Sequence, residues 1–217
     1  MEKQLNLNKL SKKEWKQNYS FYVNVKPSNS EKIFALRTIS LFLDSICNNY
    51  FISVGTCLGI FRDNEIIPWD DDIDLDIIDK NYDEIVKLII EFAEKNNFPY
   101  KIGPNIFHPK INIFINKVKV SIGKLTIGYF NKKMLYRPKT KVPLAYIYPT
   151  KPLKFKDINL RIPYNTELYL KHIYGINWRK PIKWDGKDQY RSHYERKGLI
   201  YYFLEQIQNF ISFYKYN

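Results

Sequence analysis

Between Lys95 and Lys156 the chain has no Asp or Glu, while lysines recur and Arg137 joins them. That stretch cannot supply a carboxylate to any site. It offers either a solvated basic surface or a cationic wall facing an anion. Over the whole chain 35 basic residues outnumber 22 acidic ones, for a net charge of +13. This balance favours anionic partners: nucleotides, phosphorylated glycans, nucleic acid or an acidic membrane surface. Cysteine is scarce. Cys47 and Cys57 alone make neither a disulfide framework nor a metal-ligand spacing, so both are expected reduced and buried, in a reducing compartment. No apolar run approaches the roughly 18 residues a membrane-spanning helix needs, and Met1 to Leu5 lack an apolar signal core. The expectation is a cytoplasmic location without secretion. No repeat or low-complexity linker divides the chain.

What is there is enough for a core. With 217 residues, 45% of them hydrophobic, the chain suits one domain. Its chemistry gathers between Val54 and Ile78. The apolar run Phe51-Ile52-Ser53-Val54 leads into a small-residue turn, Gly55-Thr56. Leu58, Ile60 and Phe61 then suggest a short helix, whose N-terminus would face phosphates. Next come Asp70, Asp71, Asp72, Asp74 and Asp76, the last three alternating with Ile73, Leu75 and Ile77. A period of two reads as a strand, with the aspartates on one face and the isoleucines and leucine in the core.

Carboxylates that close repel unless a cation sits between them, and Mg²⁺ takes one or two carboxylates plus water and phosphate oxygens. A solvated acidic face is the commoner meaning of such a run, but it would not need apolar residues behind it. A calcium loop would want Gly at its sixth position and Glu at its twelfth. Counted from Asp70, those places hold Leu75 and Asn81. A phosphate grip followed by an acidic metal strand is the set of parts for phosphoryl transfer at a nucleotide.

G-T-x-L-G-x-x-R-x-x-x-x-I-P-W-D-D-D-I-D, from Gly55 to Asp74, resembles the signature of the LicD/fukutin family. A second block with the same resemblance runs from Tyr148-Pro149 through Ile162-Pro163 and Tyr174-Gly175-Ile176-Asn177-Trp178 to Pro181. The resemblance implies an α+β, nucleotidyltransferase-like mixed sheet flanked by helices, with a helical C-terminal part. It implies a single domain over 1–217, comprising an arm over 1–26, a catalytic core over about 27–130, and substrate-side loops and C-terminal helices over about 131–217. It also implies transfer of a phosphate-linked group, such as phosphocholine or ribitol phosphate, from a CDP-linked donor to a sugar hydroxyl of a glycan. Asp72 and Asp74 would be catalytic and would hold Mg²⁺ or Mn²⁺. Gly55 and Thr56 would cradle phosphate with Arg62 in support, and Asp70, Asp71 and Asn112 would line the substrate side; Trp69 is either a core residue or, the reading preferred here, a wall of the donor pocket. Nucleic acid is not the expected partner. The animal members work in the secretory pathway behind a membrane anchor, a point of difference from the location expected here.

Nucleotidyltransferase-like folds usually bring a third acid from a later strand. The resemblance puts it in Lys110 to Phe114, where Asn112 stands. An amide can coordinate a cation through its carbonyl oxygen but is no general base at neutral pH. Three options follow. The base comes from Asp70, Asp71, Asp76 or His108; the reaction needs little base help, since phosphoryl transfer relies on positioning and charge neutralisation; or the protein is weakened or inactive. Two rival functions stand beside the transferase: a D-x-D glycosyltransferase using a nucleotide-sugar, and a degenerate module that binds an anionic glycan or nucleic acid through the basic region.

Elsewhere, Ser30 reads as the N-cap of a helix over Glu31 to Asn48, with Ile33, Phe34, Leu36, Ile39, Phe42 and Ile46 inward. Lys80 to Asn97 reads as an amphipathic helix with Ile85, Leu88, Ile89 and Phe92 inward. Pro99 to Ile102, Ile111 to Ile115 and Val118 to Ile122 read as strands, the last two joined by an Asn116-Lys117 turn. Leu125 to Tyr129 is a further candidate. Residues 130–163, rich in Lys, Pro and Tyr, read as irregular surface chain. Thr166 to Tyr174 reads as a helix ended by Gly175, and Glu195 to Tyr214 as a last amphipathic helix. Trp178 and Trp184 either stack on a sugar or base, or anchor their loop.

Overall fold

The computed structural model describes residues 26–103, 109–128, 132–137 and 140–182. The arm, His108, Trp184 and the last expected helix lie outside the described residues.

The first helix, α1, runs Asn29–Ile46. It starts two residues before the expected place because Ser28, not Ser30, caps it. The Ser28 side chain accepts from the Glu31 N–H, and Glu31 reaches back to the Ser28 N–H. That reciprocal pair satisfies two of the donors a helix start leaves open. The buried stripe is Lys32, Ala35, Leu36, Ile39, Ser40 and Leu43, so Phe34, expected inward, points out. β1 follows as Tyr50–Ile52. α2 is Val54–Asp63 and β2 is Asp72–Ile77. α3, Tyr82–Lys95, buries Tyr82, Ile85, Ile89 and Ala93, whereas Leu88 is exposed. β3 is Tyr100–Ile102, β4 Lys110–Ile115 and β5 Val118–Lys124. Asn116 and Lys117 both have positive φ, the backbone a two-residue hairpin turn requires.

These five strands form one mixed sheet in the order β1-β2-β5-β4-β3. β2 and β5 are parallel, and every other pair is antiparallel. Alternation settles the two faces. Ile73, Leu75, Ile77, Ile111, Ile113, Ile115, Val118, Val120 and Ile122 are all buried on one. Helices α1 and α3 meet each other through the stacked rings of Phe42 and Phe92, 4.1 Å apart, and Tyr82 donates to the Ile122 carbonyl. The other face carries the aspartates.

Residues 130–163 were expected to be irregular. They are not, where described. β6 (Thr126–Ile127), β7 (Met134–Arg137) and β8 (Thr140–Pro143) make a small sheet. Helix α4 is Leu144–Ile147, and β9 (Lys151–Phe155) pairs with β10 (Ile158–Ile162). Proline content misled because two of the prolines, Pro143 and Pro152, sit where no N–H is missed. Pro143 caps α4, and Pro152 lies in a two-stranded ribbon in which both strands are edges. Leu135, Val142, Ile147, Phe155, Leu160 and Ile162 join the core. The last described helix, α5, is Thr166–Tyr174, and it ends at Gly175 with φ 84° as expected. Both cysteines are free and buried.

Candidate functional site

The acidic strand and the small-residue turn meet. Ser53 donates its N–H to the Asp74 carbonyl, and the Asp74 N–H donates to the Thr56 hydroxyl at 2.9 Å. Thr56 thereby fastens the first turn of α2 to the middle of β2. Gly55 lies against Asp70: a Cβ built on it would overlap the Asp70 carboxylate. The glycine is needed for the approach of an acid, not only for that of a ligand. Val54, the first residue of α2, has φ 36°, a strained backbone for a β-branched residue and one that persists only where its surroundings enforce it. The Tyr169 hydroxyl accepts the Val54 N–H at 3.1 Å and supplies that restraint from α5.

Asp70, Asp71 and Asp72 each offer a carboxylate oxygen, all within 4.8 Å of one another. Burial first, then the charges of Asp72 and Asp74, push the Asp70 carboxyl up from 3.8 to about 8. A half-buried acid among acids keeps its proton because ionising it would add charge where little water answers. An all-oxygen, multiply charged donor set fits a hard divalent cation such as Mg²⁺ or Mn²⁺. Asp74 stands outside that trio, one strand step further along. Asp76 is buried, and Gly123 on β5 leaves room for its carboxylate.

The neighbouring strands decide what faces these acids. Register puts Lys119 beside Asp72, Ser121 beside Asp74 and Gly123 beside Asp76. Asn112 pairs with Ser121 from β4, and the Ser121 hydroxyl donates to the Asn112 carbonyl oxygen at 2.9 Å. The place adjoining Asp74 therefore belongs to Ser121, with Asn112 one strand beyond. Lys119 Nζ is 2.6 Å from Asp72 Oδ2, and Lys110 Nζ is 4.0 Å from Asp74 Oδ1. The acid-free stretch of sequence has thus placed two lysines on the acidic face.

Sequence reasoning missed Lys32, Ser121 and Tyr169, and did not single out Lys110 or Lys119. Lys32 is 1% exposed. Its ammonium donates to the carbonyls of Ile67 at 3.2 Å, Pro68 at 3.5 Å and Asp70 at 2.9 Å. It holds the turn that delivers Asp70, and burial pulls its own pKa down against the pull of Asp70 and Asp71. A lysine on the apolar stripe of α1 was its one signal. The strand pattern Lys119-x-Ser121-x-Gly123 would have pointed to the residues that share the sheet face with the aspartates.

Arg62 forks onto the Asp63 carboxylate, with its closest nitrogen at 2.6 Å, and reaches the Trp178 carbonyl at 3.5 Å. In this state it ties α2 to the loop after α5. Trp178 is buried, with Phe61 beside it and the Arg179 guanidinium 4.3 Å above its ring, so it anchors its loop. Trp69 is 43% exposed at the corner before Asp70, open enough to serve as a wall. Burial drives the Cys57 thiol well above its ordinary range, which leaves it inert as a nucleophile. Among the described residues no helix is long and apolar enough to cross a membrane.

Residues 48–165 match the family described as LicD/FKTN/FKRP, nucleotidyltransferase domain. Among curated proteins, ribitol-5-phosphate transferase FKTN of Mus musculus is 31% identical over 149 residues, and that of Homo sapiens 29%. Each alignment covers 64% of this chain and 31% of the relative, so the chain spans about a third of the length of the curated relatives it matches. Among solved structures, ANT(2")-Ia in complex with adenylyl-2"-tobramycin aligns at a TM-score of 0.47 and 11% identity, covering 87% of this chain and 99% of the other.

Proposed function

Because the chain belongs to the LicD/FKTN/FKRP family through its nucleotidyltransferase domain, we propose that it transfers a phosphate-linked group from a CDP-linked donor to a sugar hydroxyl of a glycan. The observation that carries the reading is the meeting of Gly55 and Thr56, at the start of α2, with Asp70, Asp72 and Asp74 around β2.

In this reading Asp72 and Asp74 hold a divalent cation, Mg²⁺ or Mn²⁺, with Asp70 and Asp71 at the same mouth. When bound, the cation neutralises charge on the donor diphosphate and on the departing nucleotide. The N–H groups of Gly55 and Thr56, in the first turn of α2, meet the phosphates in this reading, where the helix end favours negative charge. Trp69 offers an aromatic wall for the donor. The acceptor hydroxyl oxygen bonds to the phosphorus of the transferred group, the bond from that phosphorus to the bridging oxygen breaks, and a nucleoside monophosphate leaves. Asp70 takes the hydroxyl proton. A cation on Asp72 and Asp74 would offset the repulsion that those two charges exert on Asp70 and so favour the ionised carboxylate a base requires. Lys110 and Lys119 stand ready for the anionic side of the reaction.

The test is calorimetric titration of CDP-ribitol and CDP-choline, with Mn²⁺ and then with EDTA, followed by product analysis with a glycan acceptor. Metal-dependent binding and CMP release support the reading. Release of a nucleoside diphosphate would assign a D-x-D glycosyltransferase instead. One observation favours a degenerate binding module: β4 and β5 bring Ser121, Asn112 and lysines to the acidic face, but no acid. Metal-independent, strongly salt-dependent glycan binding without turnover would establish that reading.

A further inference from the structure

Lys119 makes a short contact with the acidic face: its ammonium lies 2.6 Å from Asp72 Oδ2. The pair is sheltered, with side chains 26% and 17% exposed, so its attraction is less diluted by water than that of a surface pair. The contact follows from register. β2 and β5 are parallel neighbours, and Asp72 and Lys119 are direct partners on the same face. Two residues along, Lys110 approaches Asp74 from the next strand but only to 4.0 Å.

A carboxylate oxygen 2.6 Å from an ammonium has spent its most favourable direction. A divalent cation must contact that oxygen closely and repels the ammonium. We propose that Lys119 is a resident counter-ion of Asp72: the entering divalent cation displaces it, and the released ammonium then binds the phosphate of the nucleotide. This rests on the metal reading given above. Lys119 is carried on a strand, so its backbone is fixed, while its flexible four-carbon stem allows the charged end to swing from carboxylate to phosphate without moving the sheet. The expected order is that cation and nucleotide bind together better than either binds alone, because each relieves a cost the other faces.

The test uses the full chain and two titrations, Mn²⁺ alone and then CDP in saturating Mn²⁺. Lys119→Met keeps the stem and removes the charge. Lys119→Arg keeps the charge and checks that any effect is not one of packing. Lys87→Met, on the exposed face of α3, controls for the loss of one unit of net charge. Relative to the parent, Lys119→Met should bind Mn²⁺ about tenfold more tightly and CDP about tenfold more weakly, as expected for losing one partly sheltered charge contact. Lys119→Arg and Lys87→Met should stay near the parent in both. Mn²⁺ binding by the Met variant alone would support the proposal in its strongest form. Equal Mn²⁺ affinity in parent and Met variant would overturn it while leaving the metal reading intact. No Mn²⁺ binding by any variant would overturn both.

Discussion

Gly55 shows how little room separates structure from chemistry at a single residue. A methyl group there meets the movable end of the Asp70 side chain and no backbone. Ala is also the better helix former, by up to about 1 kcal/mol. Gly55→Ala should therefore keep the parent's melting temperature or raise it slightly, yet weaken Mn²⁺ binding by about tenfold or more by evicting Asp70. Calorimetry and a thermal melt on one preparation check both halves. Asp74→Asn should lower turnover by at least about a hundredfold, the scale on which charge stabilisation at a transferring phosphoryl group acts. Its fold should survive, because the bond to Thr56 uses the Asp74 backbone N–H. Full activity in that variant would remove Asp74 from the mechanism. Asp70 carries a pH signature. Its folded pKa of about 8 lies above the ordinary 3.8, so without metal its ionisation opposes folding, and the loss grows as pH rises from about 4 to about 8. In EDTA, the melting temperature of the parent should fall relative to Asp70→Asn between pH 5 and pH 8. Saturating Mn²⁺ should close that gap.

At the scale of elements, the turn from Ile67 to Asp70 is held from below by α1. Lys32→Met removes an ammonium shared among three carbonyls and leaves those acceptors buried, at a cost of about 1–3 kcal/mol. Urea melts measure the cost, and Mn²⁺ affinity should fall with it because the turn aims Asp70. What the sequence disclosed at this scale follows the reach of its signals. β2 was legible because three isoleucine-or-leucine positions alternate with three acids. The hairpin turn at Asn116-Lys117 was legible because Asn tolerates left-handed backbone. The first cap was misplaced by two residues, since Ser28 and Ser30 look equally good until Glu31 chooses between them. Residues 130–163 were misread because proline was counted without knowing which N–H groups the sheets leave over. Lys32, Lys119 and Ser121 act across strands or between layers, and such pairings depend on register, which no local pattern in one sequence fixes.

On the scale of the whole molecule, the site is assembled from distant parts of the chain. Its acids come from β2, its phosphate-facing turn from α2, its lysines from β4 and β5, and the restraint on its strained corner from α5. The bond between Val54 and Tyr169 spans 115 residues. Tyr169→Phe removes the acceptor and leaves the Val54 N–H without it, so stability should drop by about 1–3 kcal/mol. Exchange of the Val54 amide with deuterium should quicken well beyond that global loss. Because α5 holds the corner on which the site is built, synthesis itself has an order of events. A ribosome adding about 5–20 residues each second will have released β1, α2 and β2 for several seconds before Tyr169 exists. During that interval the nascent chain carries every aspartate of the site and lacks the tyrosine that locks their neighbour, so competence should arrive only once Tyr169 has been made, and abruptly.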